Sequence, residues 1–447
     1  MRLLDPLFTT DKMREIFVDT NRLQRMLDFE AALARALARA EVAPQSSVAP
    51  VEAQCKSNLY SHEAIASAAA LAGNLAIPLV KELTALVAKS DEKAAGLVHF
   101  GATSQDVIDT GLVLQLRDAF DCTEQDLARL SSVLRRLTTE HKATLLAGRT
   151  WMQQASPITL GLKFANWLDA IERHRERLVQ MRRRVEVLQF GGAVGTLAAL
   201  GNAGPRVAEG LAQDLKLALP EVAWHAQRDR FAEVATIYGL LAGTLGKIAR
   251  DISLMSQTEI GEAAEPSAPG RGGSSTLPHK RNPVGCSVVL AAAIRVPGLV
   301  STMLSAMVQE HERGLGGWQA EWETLPEICM LTSGALSHLV QILERLKIHQ
   351  DAMGRNLDAA HGLLMAEAIA MALAKHIGKM PAHQLIERAS HQAIESGKLF
   401  REVLVNEKEI SKYLSSREID QLLDAKNYTG SAQVMIDCVL NSAKKHS

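Results

Sequence analysis

Aromatic residues are scarce in this chain. Phe, Trp and Tyr make up 4% of its 447 residues, too few for the ring-rich strands of a β-sandwich. Charge of one sign is missing as well: 49 Lys+Arg stand against 50 Asp+Glu. That balance excludes a global basic field for nucleic acid and an acidic tail, and no aromatic stacking platform compensates. Cysteine pairs are absent too. Cys55, Cys122, Cys286, Cys329 and Cys438 are odd in number and form no C-x-x-C. A disulfide framework or a zinc site is therefore not expected, and buried free thiols in a reducing cytoplasm are. The first residues, "MRLLDPLFTTDKMREIF", carry Asp5 and Asp11 where a signal peptide needs an apolar run. Uncharged stretches such as 64–80 contain Gly73, Asn74 and Pro78 and fall short of a spanning helix. A soluble, cytoplasmic protein with no membrane partner is expected.

What is present is helix. A hydrophobic share of 47% supports a substantial core, and the length implies two or three domains. Leu23, Leu27, Leu33 and Leu37 line one face of residues 22–41. A further helix through 64–80 is expected to break near Gly73 and Pro78. Residues 160–188 carry two interleaved seven-residue series: Phe164, Ile171, Leu178, Val185, and Leu160, Trp167, His174, Met181, Leu188. Such a seam predicts a long bundle helix, with His174 read as a packed histidine. Residues 231–258 repeat the pattern through Val234, Tyr238, Leu241, Leu245, Ile248, Ile252 and Met255. Residues 286–310 and 327–348 add two long helices, and the tail from 355 reads as a small helical domain. Helices this long need partners along their length, which points to an oligomer sharing one bundle.

Irregular segments interrupt these helices. "GRGGSSTLPHKRNP" (270–283) joins Gly270, Gly272 and Gly273 to Ser274, Ser275, Lys280, Arg281 and Asn282, bracketed at Pro278 and Pro283. Glycine mobility, hydroxyls and a cationic trio suit a loop that closes over an anion. It lacks the G-x-x-x-x-G-K-[ST] of a P-loop. "HFGATSQDVIDT" (99–110) sets Thr103 and Ser104 before a helix, where their hydroxyls cap it or hold a carboxylate. "GRTWMQQASPITLG" (148–161) reads as irregular and presents Thr150, Trp151 and Gln153, while "HERGLGGWQAEW" (311–322) follows Arg313 with flexible glycines.

Together these segments resemble the fumarase/aspartase superfamily, which includes adenylosuccinate and argininosuccinate lyases. "GGSSTLPHKRNP" is similar to its signature loop; "GATSQDVIDT" and "GRTWMQQASPITLG" resemble its other two active-site segments, in the same order. The resemblance implies an all-α, three-domain fold: an N-terminal helical domain (1–109), a central long-helix bundle (110–354) with a mobile loop at 259–283, and a small C-terminal domain (355–447). It also implies homotetramers whose active sites draw on several chains. By position, Ser274 resembles the loop serine that handles the proton beside a substrate carboxylate. Lys280 and Asn282 resemble the pair that stabilises the enediolate. Thr103, Ser104, Thr150, Gln153 and Gln227 resemble substrate-binding positions.

The departures are informative. Adenylosuccinate lyases read G-R-T-H, with the histidine as general acid, where this chain has Trp151; "VGCSV" replaces their M-R-S-E-R-like run, and Trp318 and Trp322 replace polar residues downstream of Arg313. Expelling an amine needs a delivered proton, whereas a carboxylate is a stable anion at neutral pH. Run in reverse, a carboxylate adds to an activated double bond without a base. The pattern is similar to the bacterial lactonizing branch of the superfamily. That resemblance implies ring closure of 3-carboxy-cis,cis-muconate to a carboxymuconolactone in protocatechuate breakdown. It also implies a tricarboxylate held by Lys280, Arg313 and helix N-termini, with Trp151 in the pocket, and neither metal nor organic cofactor. A C–N or C–O lyase with a displaced acid, or a non-catalytic scaffold, are the competing readings.

Overall fold

The computed structural model describes residues 3–267, 270, 272–273, 276–277 and 279–442. It is mostly helical. Ten helices matter for the argument: α1 (Asp19–Arg39), α2 (His62–Ala72), α3 (Ala76–Ala88), α4 (Ser104–Glu140), α5 (Leu160–Val185), α6 (Asp229–Met255), α7 (Val284–Ser305), α8 (Gly317–Glu344), α9 (Ala366–Ile377) and α10 (Lys379–Ser396). Among the described residues, the strands are one antiparallel hairpin, β1 (Leu145–Thr150) and β2 (Gln153–Thr159), and a two-residue pairing of Ala263–Ala264 with Lys347–Ile348.

The seams behave as their spacing predicts. Every seam residue named above on α5 is buried, from Leu160 to Val185, as is Leu188 just beyond it. The set on α6 is buried throughout, Val234 to Met255. Full burial of a Leu, Ile or Phe side chain contributes about 1.5–3 kcal/mol each, far more than helix propensity supplies. His174 is 4% exposed and its Nε2 meets the Thr244 hydroxyl at 2.8 Å, so it is a packed histidine.

Three local expectations change. The 64–80 helix breaks only at 73–75. Gly73 ends α2 in the left-handed region at φ +79°, and the Asn74 side chain accepts from the Ala76 and Ile77 amides at 3.0 and 3.2 Å. Pro78 lies in the first turn of α3, where its missing N–H costs nothing. The 148–161 segment is not irregular but the β1–β2 hairpin. Helix α7 departs from the hydropathy reading as well: by length and composition it could cross a membrane. It contains Pro297, and its Arg295 pairs with Glu327 of α8. All five cysteines are free, and Cys438 is exposed where the other four are buried.

The chain divides into two compact units. The first comprises Met1–Leu127, His174–Gly246 and Val288–His338; the second comprises Ala128–Arg173, Lys247–Ser287 and Leu339–Ser447. Helices α4 to α8 contribute segments to both. Within the first unit, Tyr238 of α6 meets the Thr123 hydroxyl of α4 at 2.9 Å and stacks at a tilt on Phe120. Helix α7 approaches α6 closely at Gly246, where a Cβ would lie 2.6 Å from that of Ala293. Within the second unit, Arg129 of α4 grips Glu344 of α8 at 2.6 and 2.8 Å. There α9, α10 and the helices after them close over Ile369, Leu373, Leu385, Phe400 and Leu404, all buried.

Candidate active site

In the first unit the turn before α4 is organised by one buried carboxylate. Asp106 Oδ2 accepts from the Thr103 amide at 3.0 Å and the Gly192 amide at 2.9 Å. Its Oδ1 accepts from the Gly191 amide at 3.0 Å and lies 2.7 Å from His225 Nε2. The "GATS" turn is thus tied to two distant loops. His99, which precedes it, lies 2.6 Å from Glu30; burial opposes a charge on its ring, but the Glu30 carboxylate prevails and raises its pKa. Ser104 opens α4, yet the Thr103 hydroxyl turns to Arg313, accepting from Nη1 at 2.8 Å. Capping is therefore not what that hydroxyl does. Arg313 also donates from Nε to Gln105 Oε1 at 3.3 Å and sits 5.8 Å from the centre of the Trp318 ring. Gln227 is exposed on the turn leading into α6, directly before buried Arg228.

Sequence reasoning missed what lies beneath. Arg228, 2% exposed, donates from Nη1 to Asp109 Oδ2 at 2.7 Å and from Nε to Glu321 Oε1 at 3.0 Å. Its Nη2 reaches Asp109 Oδ1 at 3.2 Å and Glu321 Oε2 at 2.5 Å. One guanidinium thus serves two buried carboxylates. Burial pushes the Glu321 carboxyl up to about 7, Arg228 pulls against that, and the Asp109 charge adds to it. Burial also opposes the charge on Arg228, but the two carboxylates outweigh it and raise its pKa. Gln105 and Asp109 are four apart, on one face of a helix, and that spacing was visible in the sequence. Nothing in the spacing linked either to Arg228 or Glu321.

The second unit holds the other candidates. Thr150, Trp151 and Gln153 cluster at the hairpin tip, where Thr150 pairs with Gln153 and Trp151–Met152 form the two-residue loop. Both loop residues are left-handed, at φ +51° and +66°. Two-residue hairpin loops need such angles and normally use Asn and Gly for them; Trp151 is 96% exposed there. The hairpin is anchored by its own Arg149, which grips buried Glu262 with bonds of 2.9 and 2.7 Å, while Asn356 donates to the same carboxylate at 2.8 Å. Gly148 is required: a Cβ would sit 2.6 Å from the Ser156 carbonyl oxygen.

In the cationic loop, Gly272 and Gly273 pair with Asn282 and Arg281. The Asn282 amide donates to the Gly272 carbonyl at 2.8 Å, and Gly273 bridges Arg281. Gly272 has φ +72°, and a Cβ there would meet the Asn282 carbonyl oxygen at 2.8 Å. Glu265 fixes the returning limb by accepting from the Gly285 and Cys286 amides at 3.1 and 2.7 Å, capping α7. Lys280 is exposed on this loop and Asn282 is half-buried. Ser274, Ser275 and Pro278 lie outside the described residues. The structure thus brings Thr103 and Arg313 into contact, sets Ser104 beside Thr103 in the chain, and gathers Thr150, Trp151 and Gln153 on one tip.

The chain matches the lyase family over residues 7–298 and an adenylosuccinate lyase C-terminus over residues 362–439. It is 54% identical to a 3-carboxy-cis,cis-muconate cycloisomerase of Pseudomonas aeruginosa, covering 98% of this chain and 96% of that protein. It is 53% identical to the enzyme of the same name from Pseudomonas putida, covering 94% and 99%. The crystal structure of 3-carboxy-cis,cis-muconate lactonizing enzyme from Pseudomonas putida superposes with a TM-score of 0.94 at 52% identity, covering 100% and 99%. The chain belongs to the fumarase/aspartase lyase superfamily.

Proposed function

We propose that this chain is a cycloisomerase that converts 3-carboxy-cis,cis-muconate to its lactone. The observation that carries the reading is identity above one half, over nearly the full length, to cycloisomerases of that substrate. The residues agree with it. One substrate carboxylate, already ionised, forms a C–O bond to a diene carbon. The electron pair of that double bond moves to the neighbouring carbon, beside a second carboxylate, as an enediolate. Lys280 stabilises this charge with Asn282 beside it, and a proton delivered through Ser274 or a water it orients completes the product. No leaving group waits for a proton, so the tip can present Trp151 where amine-releasing relatives present histidine. Arg313 pairs with a carboxylate, and Thr103, Ser104, Thr150, Gln153 and Gln227 bind the remainder.

The reading extends to a homotetramer with active sites shared between chains. The 96% exposure of Trp151 on a strained backbone supports it, as do Ile294, Val308 and Leu315, exposed by 76%, 84% and 86%. It also keeps 355–447 as its own small domain, supported by the separate match over 362–439, and assigns the chain to the cytoplasm, supported by free Cys55, Cys122, Cys286 and Cys329. The test is purified protein with 3-carboxy-cis,cis-muconate, then with adenylosuccinate, followed by ultraviolet absorbance. Loss of the diene band with the first and no change with the second is expected. Cleavage of adenylosuccinate with an unchanged diene would replace the reading with a C–N lyase.

A further inference from the structure

We propose that Asp109 is a positioning residue for Arg313, acting through Gln105 and Trp318. The proposal rests on the reading that Arg313 binds a substrate carboxylate. A long arginine side chain on a glycine-rich segment has rotamer entropy to lose before it can bind productively. Here that loss occurs in advance. Thr103 and Gln105 take donors from Nη1 and Nε, and the Trp318 ring lies beneath the guanidinium. Among the described residues Nη2 has no hydrogen-bond partner, so its two donors are free for a carboxylate oxygen.

Neither Gln105 nor Trp318 holds its own orientation. The Gln105 nitrogen donates to Asp109 Oδ2 at 3.2 Å and to the His225 carbonyl at 2.9 Å. Those two acceptors fix the amide so that its oxygen, not its nitrogen, faces the arginine. Trp318 Nε1 donates to Asp109 Oδ1 at 2.9 Å, which sets the plane of the ring. Asp109 is 1% exposed and accepts four bonds: one from Gln105, one from Trp318 and two from Arg228. A carboxylate offers about four acceptor sites, so this one is filled and has a single orientation. Gln105 and Trp318 are themselves buried. The order that starts at the Arg228–Asp109 pair therefore reaches the half-exposed guanidinium through two buried side chains.

The experiment is a double-mutant cycle on the full-length protein with 3-carboxy-cis,cis-muconate as substrate. Gln105→Met, Trp318→Phe and Asp109→Asn are each made alone and in combination with Arg313→Met, and KM and kcat are measured for every variant. Gln105→Met keeps volume and carries the test if Asp109→Asn or Trp318→Phe fails to fold. Each single variant is expected to raise KM about five- to tenfold with kcat changed less than threefold. In the Arg313→Met background each is expected to raise KM no further. Equal KM effects in both backgrounds would overturn the positioning role while leaving Arg313 as the carboxylate site. An unchanged KM in Arg313→Met alone would remove that reading and this proposal with it.

Discussion

At the scale of single residues the account rests on how charge is held. Lys280 is exposed on its loop, and the proposed function gives it the enediolate charge. Lys280→Ala is expected to slow single-turnover lactonisation by about 10²–10³-fold, the range for removing one preorganised electrostatic stabiliser; stopped-flow absorbance reads it, and near-full activity would remove the lysine from the mechanism. Glu321 gives a pH prediction. Its carboxyl titrates near 4.3 when unfolded and at about 7 in the fold. The native chain therefore holds an extra proton between those values. The stability this proton contributes is full below about pH 4 and is lost as pH rises through about 7. Glu321→Gln removes the titration and keeps an acceptor for Arg228. By denaturant titration, wild type is expected to lose about 3 kcal/mol relative to Glu321→Gln between pH 4 and pH 8. A difference that does not change with pH would show that the fold does not raise the Glu321 pKa.

At the scale of elements, legibility followed periodicity. The seams of α5 and α6 were readable because one spacing, sustained over many turns, places every apolar residue on one side. The β1–β2 hairpin was not, because its loop is Trp151–Met152 rather than the Asn-Gly pair that announces such a turn, and Gly148 and Pro157 disguise the strands. The cluster of Asp109, Arg228 and Glu321 was hidden for another reason: two helices and the turn before α6, far apart in sequence, supply it, and each charge alone reads as surface. Of the site, the motifs were legible and their supports were not. Helix α6 gives a paired prediction. Gly243 has nothing within 4 Å of a built Cβ, whereas at Gly246 the Cβ of Ala293 lies 2.6 Å away. Gly243→Ala is expected to stabilise by about 0.5–1 kcal/mol through helix propensity, and Gly246→Ala to destabilise by about 1–3 kcal/mol by forcing α7 outward. Thermal unfolding of the two variants checks this; the same sign for both would contradict the packing described.

At the scale of the whole molecule, the sequence supplied the superfamily and the helical class, and the match to solved relatives agrees with both. The tetramer is a proposal with its own test. Ile294, 76% exposed on α7, is expected to face another copy. Sedimentation should give four chain masses for wild type and a smaller species for Ile294→Glu, with activity falling alongside; a monomeric wild type of full activity would refute shared sites. The central claim is that an ionised carboxylate closes a ring on carbon and that the resulting carbanion is then protonated. It is tested most directly by turning over 3-carboxy-cis,cis-muconate in D₂O and examining the product by NMR. The account predicts a lactone with a single deuterium, on the carbon next to a carboxylate. A recovered diene, or a product without that deuterium, would contradict it.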